Sequence, residues 1–215
     1  MNIKTKRIVS VFNEKGLSAI NAFENYDKKT TVKNIEARIV DRLGNEIKRV
    51  KSKDFKDVSA ISGSTIFSDS RYIYLDYTPT QYPFTIIYDS ELVTSNTAFI
   101  PSWYPVKDYL VGVEQSVLNV TYPNNLGFKK KEFNFSGFTI QKTVDTATQL
   151  SYTASNILAQ RQEPYCAGSI IFPKLMMGLE IFNLEGKDGT AKSWEEFGKW
   201  YYDEILTGTT QLSPE

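Results

Sequence analysis

The sequence predicts a mainly β protein built from antiparallel strands, with a single helix near its C-terminal end. Three observations carry that prediction. Aromatic residues are abundant, with 13 Tyr, 13 Phe and 3 Trp among 215 residues, and such side chains fit a pleated, half-buried surface. Apolar and polar residues alternate with a period of two in several segments separated by turn residues. Only residues 194–206 carry apolar side chains at clear helical spacing.

The elements follow in order. Residues 3–14 predict a strand through Ile8, Val9, Val11 and Phe12, stopped by Gly16. Residues 18–26 predict a second, with Ile20, Ala22 and Tyr26 on one face. Residues 32–41 alternate cleanly, placing Ile35, Ala37 and Ile39 on one side. Leu43-Gly44-Asn45 then suits a tight hairpin, because Gly and Asn accept positive φ. The return strand spans about Glu46 to Lys51, and residues 55–68 read as loop. Residues 71–77 and 84–93 predict strands, with Pro79 and Pro83 between them. An irregular segment covers 99–106, and strands resume at 110–122, 128–135, 138–144 and 148–154. Their regular spacing signals a sandwich or a barrel. Residues 156–175 carry no clear pattern, and 176–184 predict one last strand. Ser193 and Glu196 form a capping-box pair at the start of the helix, and Gly208 provides a stop.

Composition excludes several function classes. Lys and Arg number 25, as do Asp and Glu, so no excess charge points to nucleic acid or to a polybasic membrane anchor. No apolar run approaches the ~20 residues that span a bilayer. Histidine is absent, so a Ser-His-Asp or Cys-His site cannot be assembled from this chain alone. The single cysteine, Cys166, has no imidazole to generate its thiolate and no partner for a disulfide. No phosphate-binding glycine loop, zinc-type cysteine pair or nucleophile elbow is present. These counts predict no catalytic residue, no cofactor and no metal site. The segment Asn183–Gly189 lacks the acidic spacing of a calcium loop and reads as a turn. Paired carboxylates could run glycoside hydrolysis without histidine, but 25 acidic residues make such pairs unspecific. The sequons at Asn119 and Asn134 fall in predicted strands and carry little meaning there.

The segments FSDSRYIYLDYTPTQYP (67–83), FIPSWYPV (99–106) and SWEEFGKWYYDEIL (193–206), with the turn at DRLGNEIK (41–48) and the stretch PYCAGSIIFPKL (164–175), resemble an uncharacterised N-terminal domain of secreted Bacteroidetes proteins. In those proteins the domain precedes a transglutaminase-like domain. The resemblance implies a large twisted antiparallel β-sandwich, similar to the saddle-shaped N-terminal domain of zinc aminopeptidases. It implies export to the periplasm, the cell surface or the medium. It also implies a downstream papain-like catalytic domain as the partner in cis, and it offers no functional residues to carry over. The N-terminus lacks a signal peptide, so the chain is expected to be a segment of a longer precursor. Residues 1–190 would form the sandwich, and residues 191–215 the helix and the start of a linker.

The leading expectation is therefore a non-catalytic accessory module that positions the downstream domain or its substrate. Trp194, Phe197, Trp200 and Tyr201 are the candidate docking face; the alternative is that this helix caps its own sandwich. A second expectation is a glycan- or peptide-binding cell-surface module using Tyr72, Tyr74, Trp103 and Tyr104. A third is a carboxylate-dependent hydrolase.

Overall fold

A computed structural model describes residues 1–60, 69–162 and 164–208. The described chain is mostly β, every strand pairing is antiparallel, and a helix lies near the C-terminal end. It divides into two compact units, Met1–Ser95 and Asn96–Glu215, each with its own apolar core.

The first unit contains β1 (Asn2–Val11), β2 (Phe23–Tyr26), β3 (Thr30–Asp41), β4 (Glu46–Lys51), β5 (Lys56–Ser59), β6 (Arg71–Tyr74) and β7 (Phe84–Thr94). A four-stranded sheet runs in the order β1-β7-β3-β4, and a three-stranded sheet in the order β2-β6-β5. The period-two alternation decides which side of the large sheet faces in. Phe84, Ile86 and Tyr88 of β7 point into the core, beside Ile35, Ala37 and Ile39 of β3 and Val11 of β1. The register sets Val11 opposite Phe84 and Ala37 opposite Tyr88. The outer side is charged: Lys6, Asp89, Glu36 and Lys51 line up across the four strands, an arrangement in which opposite charges meet across neighbouring strands at both edges. The small sheet closes the core from the other side through Ile73 and Ala22, joined by Phe55.

Local chemistry fixes the β3–β4 hairpin. The Asp41 carboxylate accepts from the backbone N–H of Leu43 at 2.8 Å and of Asn45 at 2.9 Å, and from the Asn45 amide at 2.9 Å. Those bonds, led by the Asn45 amide, hold Asp41 below the usual carboxylate range. Gly44 takes φ +88°, which favours glycine.

The second unit contains β8 (Val113–Thr121), β9 (Phe128–Phe133), β10 (Ile140–Asp145), β11 (Gln149–Ile157), a short helix α1 (Gly168–Ile171), β12 (Lys174–Leu179), β13 (Ile181–Leu184), β14 (Lys187–Thr190) and α2 (Trp194–Tyr201). Its sheets are β10-β11-β8, β12-β9 and the hairpin β13-β14. The core gathers Leu150, Tyr152 and Ala154 of β11 with Leu175 of β12, Phe172 and Trp103. Trp103 joins this core from an otherwise irregular segment by exchanging two backbone hydrogen bonds with Leu175, both 2.9 Å.

Several expectations need correction. Residues 18–26 do not form one strand: Glu14–Ala19 is a 3-10 turn capped by Asn13, and only Phe23–Tyr26 is extended. Residues 56–59, read as loop, form β5, while residues 61–68 of that segment lie outside the described residues. The strand expected over 71–77 ends at Tyr74. The region 156–184 holds the end of β11, α1, β12 and β13, rather than an unpatterned stretch followed by one strand. The helix expected over 194–206 is α-helical to Tyr201 and continues as a π-turn over Tyr202–Leu206.

The two cores set the first expected outcome. Leu175→Ala, at a fully buried position, should lower the stability of the second unit by about 2–5 kcal/mol, the usual cost of a buried Leu truncation. Leu158→Ala, at a position 84% exposed, should change it by less than about 0.5 kcal/mol. Urea denaturation of both variants checks this.

Candidate functional site

The aromatic residues singled out in the sequence occupy three different settings. The first is α2. Ser193 accepts from the Glu196 N–H at 3.2 Å, as its N-cap position predicts, but the Glu196 carboxylate accepts from the N–H of Lys192 at 2.7 Å. The reciprocal half of the capping box is thus displaced by one residue. The helix packs on its own hairpin. Trp200 meets Phe182 of β13 edge-on, with ring centroids 4.9 Å apart, and its indole N–H donates to the Asp188 carbonyl at 3.0 Å. Phe197 lies 5.8 Å from the same Phe182 ring. Gly189 makes this approach feasible, since a Cβ there would fall 2.7 Å from atoms of both Phe182 and Trp200. Trp194 stands apart: it is 88% exposed, and its ring meets Phe197 edge-on with centroids 6.0 Å apart. Tyr201 stacks on Phe197 at 6.1 Å and is itself exposed. The helix therefore spends Trp200 and part of Phe197 on its hairpin and leaves Trp194 and Tyr201 toward solvent.

The second setting is the small sheet of the first unit. Strand alternation sends Ile73 into the core and turns Tyr72 and Tyr74 to the opposite side. The two rings lie 5.3 Å apart, and Phe23 of β2 extends the row at 5.0 Å from Tyr72. The register adds Asn25, Lys56 and Val58 to this face. The row is half-buried, and Asn25, Lys56 and Val58 around it are exposed.

The third setting removes one candidate from the surface. Trp103 is only 8% exposed; its indole N–H donates to Ser116 Oγ at 3.0 Å and its ring packs against Phe135 and Tyr152. It is a core residue and cannot offer its ring to a ligand. The adjacent Tyr104 is exposed, as alternation across one residue requires.

Sequence reasoning missed a buried polar cluster in the first unit. Arg7 donates to the carbonyls of Ala19 at 3.1 Å and Asn21 at 3.2 Å. Glu24 accepts from Tyr88 Oη at 3.0 Å and from Ser90 Oγ at 2.6 Å. Burial pulls the Arg7 guanidinium below its ordinary value and pushes the Tyr88 phenol well above its own, helped by the negative charge of Glu24. Glu24 and Tyr88 sit 64 residues apart in sequence, so no local spacing could announce them. In the second unit Tyr152 donates to Glu132, and burial again raises the phenol. Both clusters tie strands together, and among the described residues no buried side-chain N or O lacks a hydrogen-bond partner.

The remaining sequence candidates have structural duties. Cys166 is half-buried, and its carbonyl accepts from Tyr109 Oη at 3.0 Å. The Asn183–Gly189 segment is the β13–β14 hairpin, turned by Glu185 and Gly186 at φ +55° and +86°. The Asn134 amide donates to the Ile170 carbonyl at 2.6 Å and the Phe172 carbonyl at 3.3 Å, and Asn119 accepts from Ser151 Oγ at 2.8 Å. Among the described residues, no group of three His, Cys, Asp or Glu stands close enough to hold a metal ion. None of the described helices is long and apolar enough to cross a membrane.

Comparison with known proteins bears on the same question. A family described as a domain of unknown function with a solved structure, DUF3857, matches residues 1–161. No curated protein matches. A crystal structure from Parabacteroides distasonis ATCC 8503, of a protein named a "putative protease", superposes with a TM-score of 0.62 at 14% sequence identity. The alignment covers 82% of this chain and 36% of that one, so the chain spans about a third of the length of that protein.

The buried phenols generate a pH dependence. Tyr88 and Tyr152 stay neutral in the fold above the pH at which an unfolded tyrosine ionises, about 10. A raised pKa contributes stability that is complete below that unfolded value and is lost as pH rises above it. The urea midpoint should therefore hold up to about pH 10 and fall as pH rises beyond it. Tyr152→Phe, whose Glu132 partner is exposed, should make that fall shallower.

Proposed function

The chain belongs to the DUF3857 family, and from that premise we propose that it is a non-catalytic accessory module of a longer exported protein, set beside a transglutaminase-like or papain-like domain that performs the chemistry. The observation that carries this reading is one of extent. The chain corresponds to 36% of a protein named a "putative protease", while its own 215 residues hold no histidine. A Cys-His or Ser-His site needs an imidazole as general base, so such a base would have to come from outside this chain. The filled polar clusters support the same division: the phenols donate to carboxylates and the Arg7 guanidinium donates to backbone carbonyls.

Docking of the catalytic domain would fall on the solvent side of α2. Trp194 offers a large apolar ring with almost no contact of its own, and aromatic anchors of this kind dominate the energetics of protein interfaces. Periplasmic, surface or secreted location and a saddle-like sandwich architecture complete the proposal.

The test compares three preparations on a peptide panel scored for amide hydrolysis and acyl transfer: this chain, the downstream domain, and the two joined. The chain alone should be inactive, and the joined protein should be more active or differently selective than the downstream domain. Trp194→Ala in the joined protein should weaken that effect without lowering the melting temperature of the module. Equal activity with and without the module would sink the positioning role.

A second reading is favoured by the row of Phe23, Tyr72 and Tyr74 turned away from the first core. The module would bind a peptide or glycan on that face. Titration followed by tyrosine and tryptophan fluorescence should then show saturation that Tyr72→Ala and Tyr74→Ala abolish.

A further inference from the structure

A cleft of about 370 Å³ opens in the second unit between the segment after β8 and the β10–β11 turn. Its walls include Tyr122, Pro123, Asn124, Phe128, Lys130 and Asp145. That volume lies at the small end of the roughly 300–1,000 Å³ typical of ligand pockets. No local spacing announces it, because Tyr122, Phe128 and Asp145 lie at or next to the ends of three different strands.

Two chemical surfaces meet in this cleft. One is aromatic: the Tyr122 and Phe128 rings stack with centroids 3.9 Å apart and planes 12° apart. Tyr122 Oη donates to the Thr146 carbonyl at 3.0 Å, which fixes the ring relative to the turn. The other surface is polar. Asp145 accepts from Lys130 and, at 2.9 Å, from Lys142; these two ammonium groups hold its carboxyl below the usual range, Lys130 contributing most. Glu132 also acts electrostatically on Lys142. Of these groups Lys130 and Asp145 line the cleft, one cation against one carboxylate.

This combination selects among ligand classes. Balanced charge gives no net field to capture a phosphate or a polyanion. A wholly apolar ligand would strip water from the Lys130–Asp145 ion pair and offer no hydrogen bond in its place. A sugar ring satisfies both surfaces. Its C–H face lies flat on an aromatic ring, and its hydroxyls both donate to a carboxylate and accept from an ammonium group. We infer that the cleft formed by Tyr122, Phe128, Lys130 and Asp145 is a carbohydrate-binding site for a neutral pyranose unit of an oligosaccharide.

The inference is independent of the accessory role and of the Tyr72–Tyr74 face, and one experiment separates them. The intact chain is titrated by calorimetry with neutral oligosaccharides of glucose, xylose, mannose, galactose and N-acetylglucosamine, and with uronate oligomers and inorganic phosphate as charged comparators. At least one neutral series should bind saturably. Asp145→Asn keeps the shape and removes the charge, and it should weaken binding about tenfold, the scale of one charge-assisted hydrogen bond. Tyr122→Ala, checked for folding by circular dichroism, should weaken it at least as much. Tyr72→Ala should leave it unchanged. Absence of saturable binding by every neutral series overturns the inference. So does binding restricted to uronates or phosphate, or binding that responds to Tyr72→Ala and to neither cleft variant.

Discussion

A strand paired along both edges can differ only in its two faces, and β7 of the first unit meets that constraint over its full length. From Phe84 to Thr94 buried and half-buried side chains alternate without interruption. β1 and β3 both read their register from it: Val9 and Ile39 face Ile86 from either side. A one-residue slip would exchange Phe84, Ile86 and Tyr88 for Thr85, Ile87 and Asp89 and place a carboxylate in the core. β11 plays the corresponding part in the second unit, with Leu150, Tyr152 and Ala154 facing in between β10 and β8.

This constraint explains which elements were legible in the sequence. β3, β7, β8 and β11 run for nine residues or more, long enough for alternation to stand out, and their inward residues fall where the pattern puts them. Most of the strands that local pattern misplaces are four residues long. β5 holds Lys56, Asp57, Val58 and Ser59, all exposed, so no buried apolar residue marks it; it pairs along the edge of β6. β14 is no richer, and its Gly189 is there to admit Trp200 and Phe182. Such strands are products of tertiary pairing, and local propensity carries almost no information about them.

The candidate surfaces were legible to a smaller degree, for a related reason. Composition announces aromatic residues but not their direction. By composition Tyr72, Tyr74, Trp103 and Tyr104 stand on equal grounds, yet Trp103 is drawn inward by its two-bond bridge to Leu175. In α2 a stripe of aromatics at helical spacing could face a neighbour or solvent, and the answer was set by Phe182, twelve or more residues away. The clusters that contain the most perturbed groups, Arg7 with Glu24 and Tyr88 on one hand and Tyr152 with Glu132 on the other, join residues from strands distant in the chain. Such clusters leave no spacing signature at all.

Perturbed ionisable groups often mark active sites, because catalysis needs acids and bases shifted from their ordinary values. Here the direction of the shifts argues otherwise. The Tyr88 and Tyr152 phenols are raised, which makes them weaker acids and leaves them neutral across the pH range in which a general base must accept a proton. A catalytic acid–base pair has its two values driven toward the working pH; these are driven away from it, and each phenol is locked to one carboxylate. Such pairs hold sheets together. Aromatic rings that the cores do not fully use lie elsewhere, on the outer face of β6, the solvent side of α2 and beside the cleft between Tyr122 and Asp145.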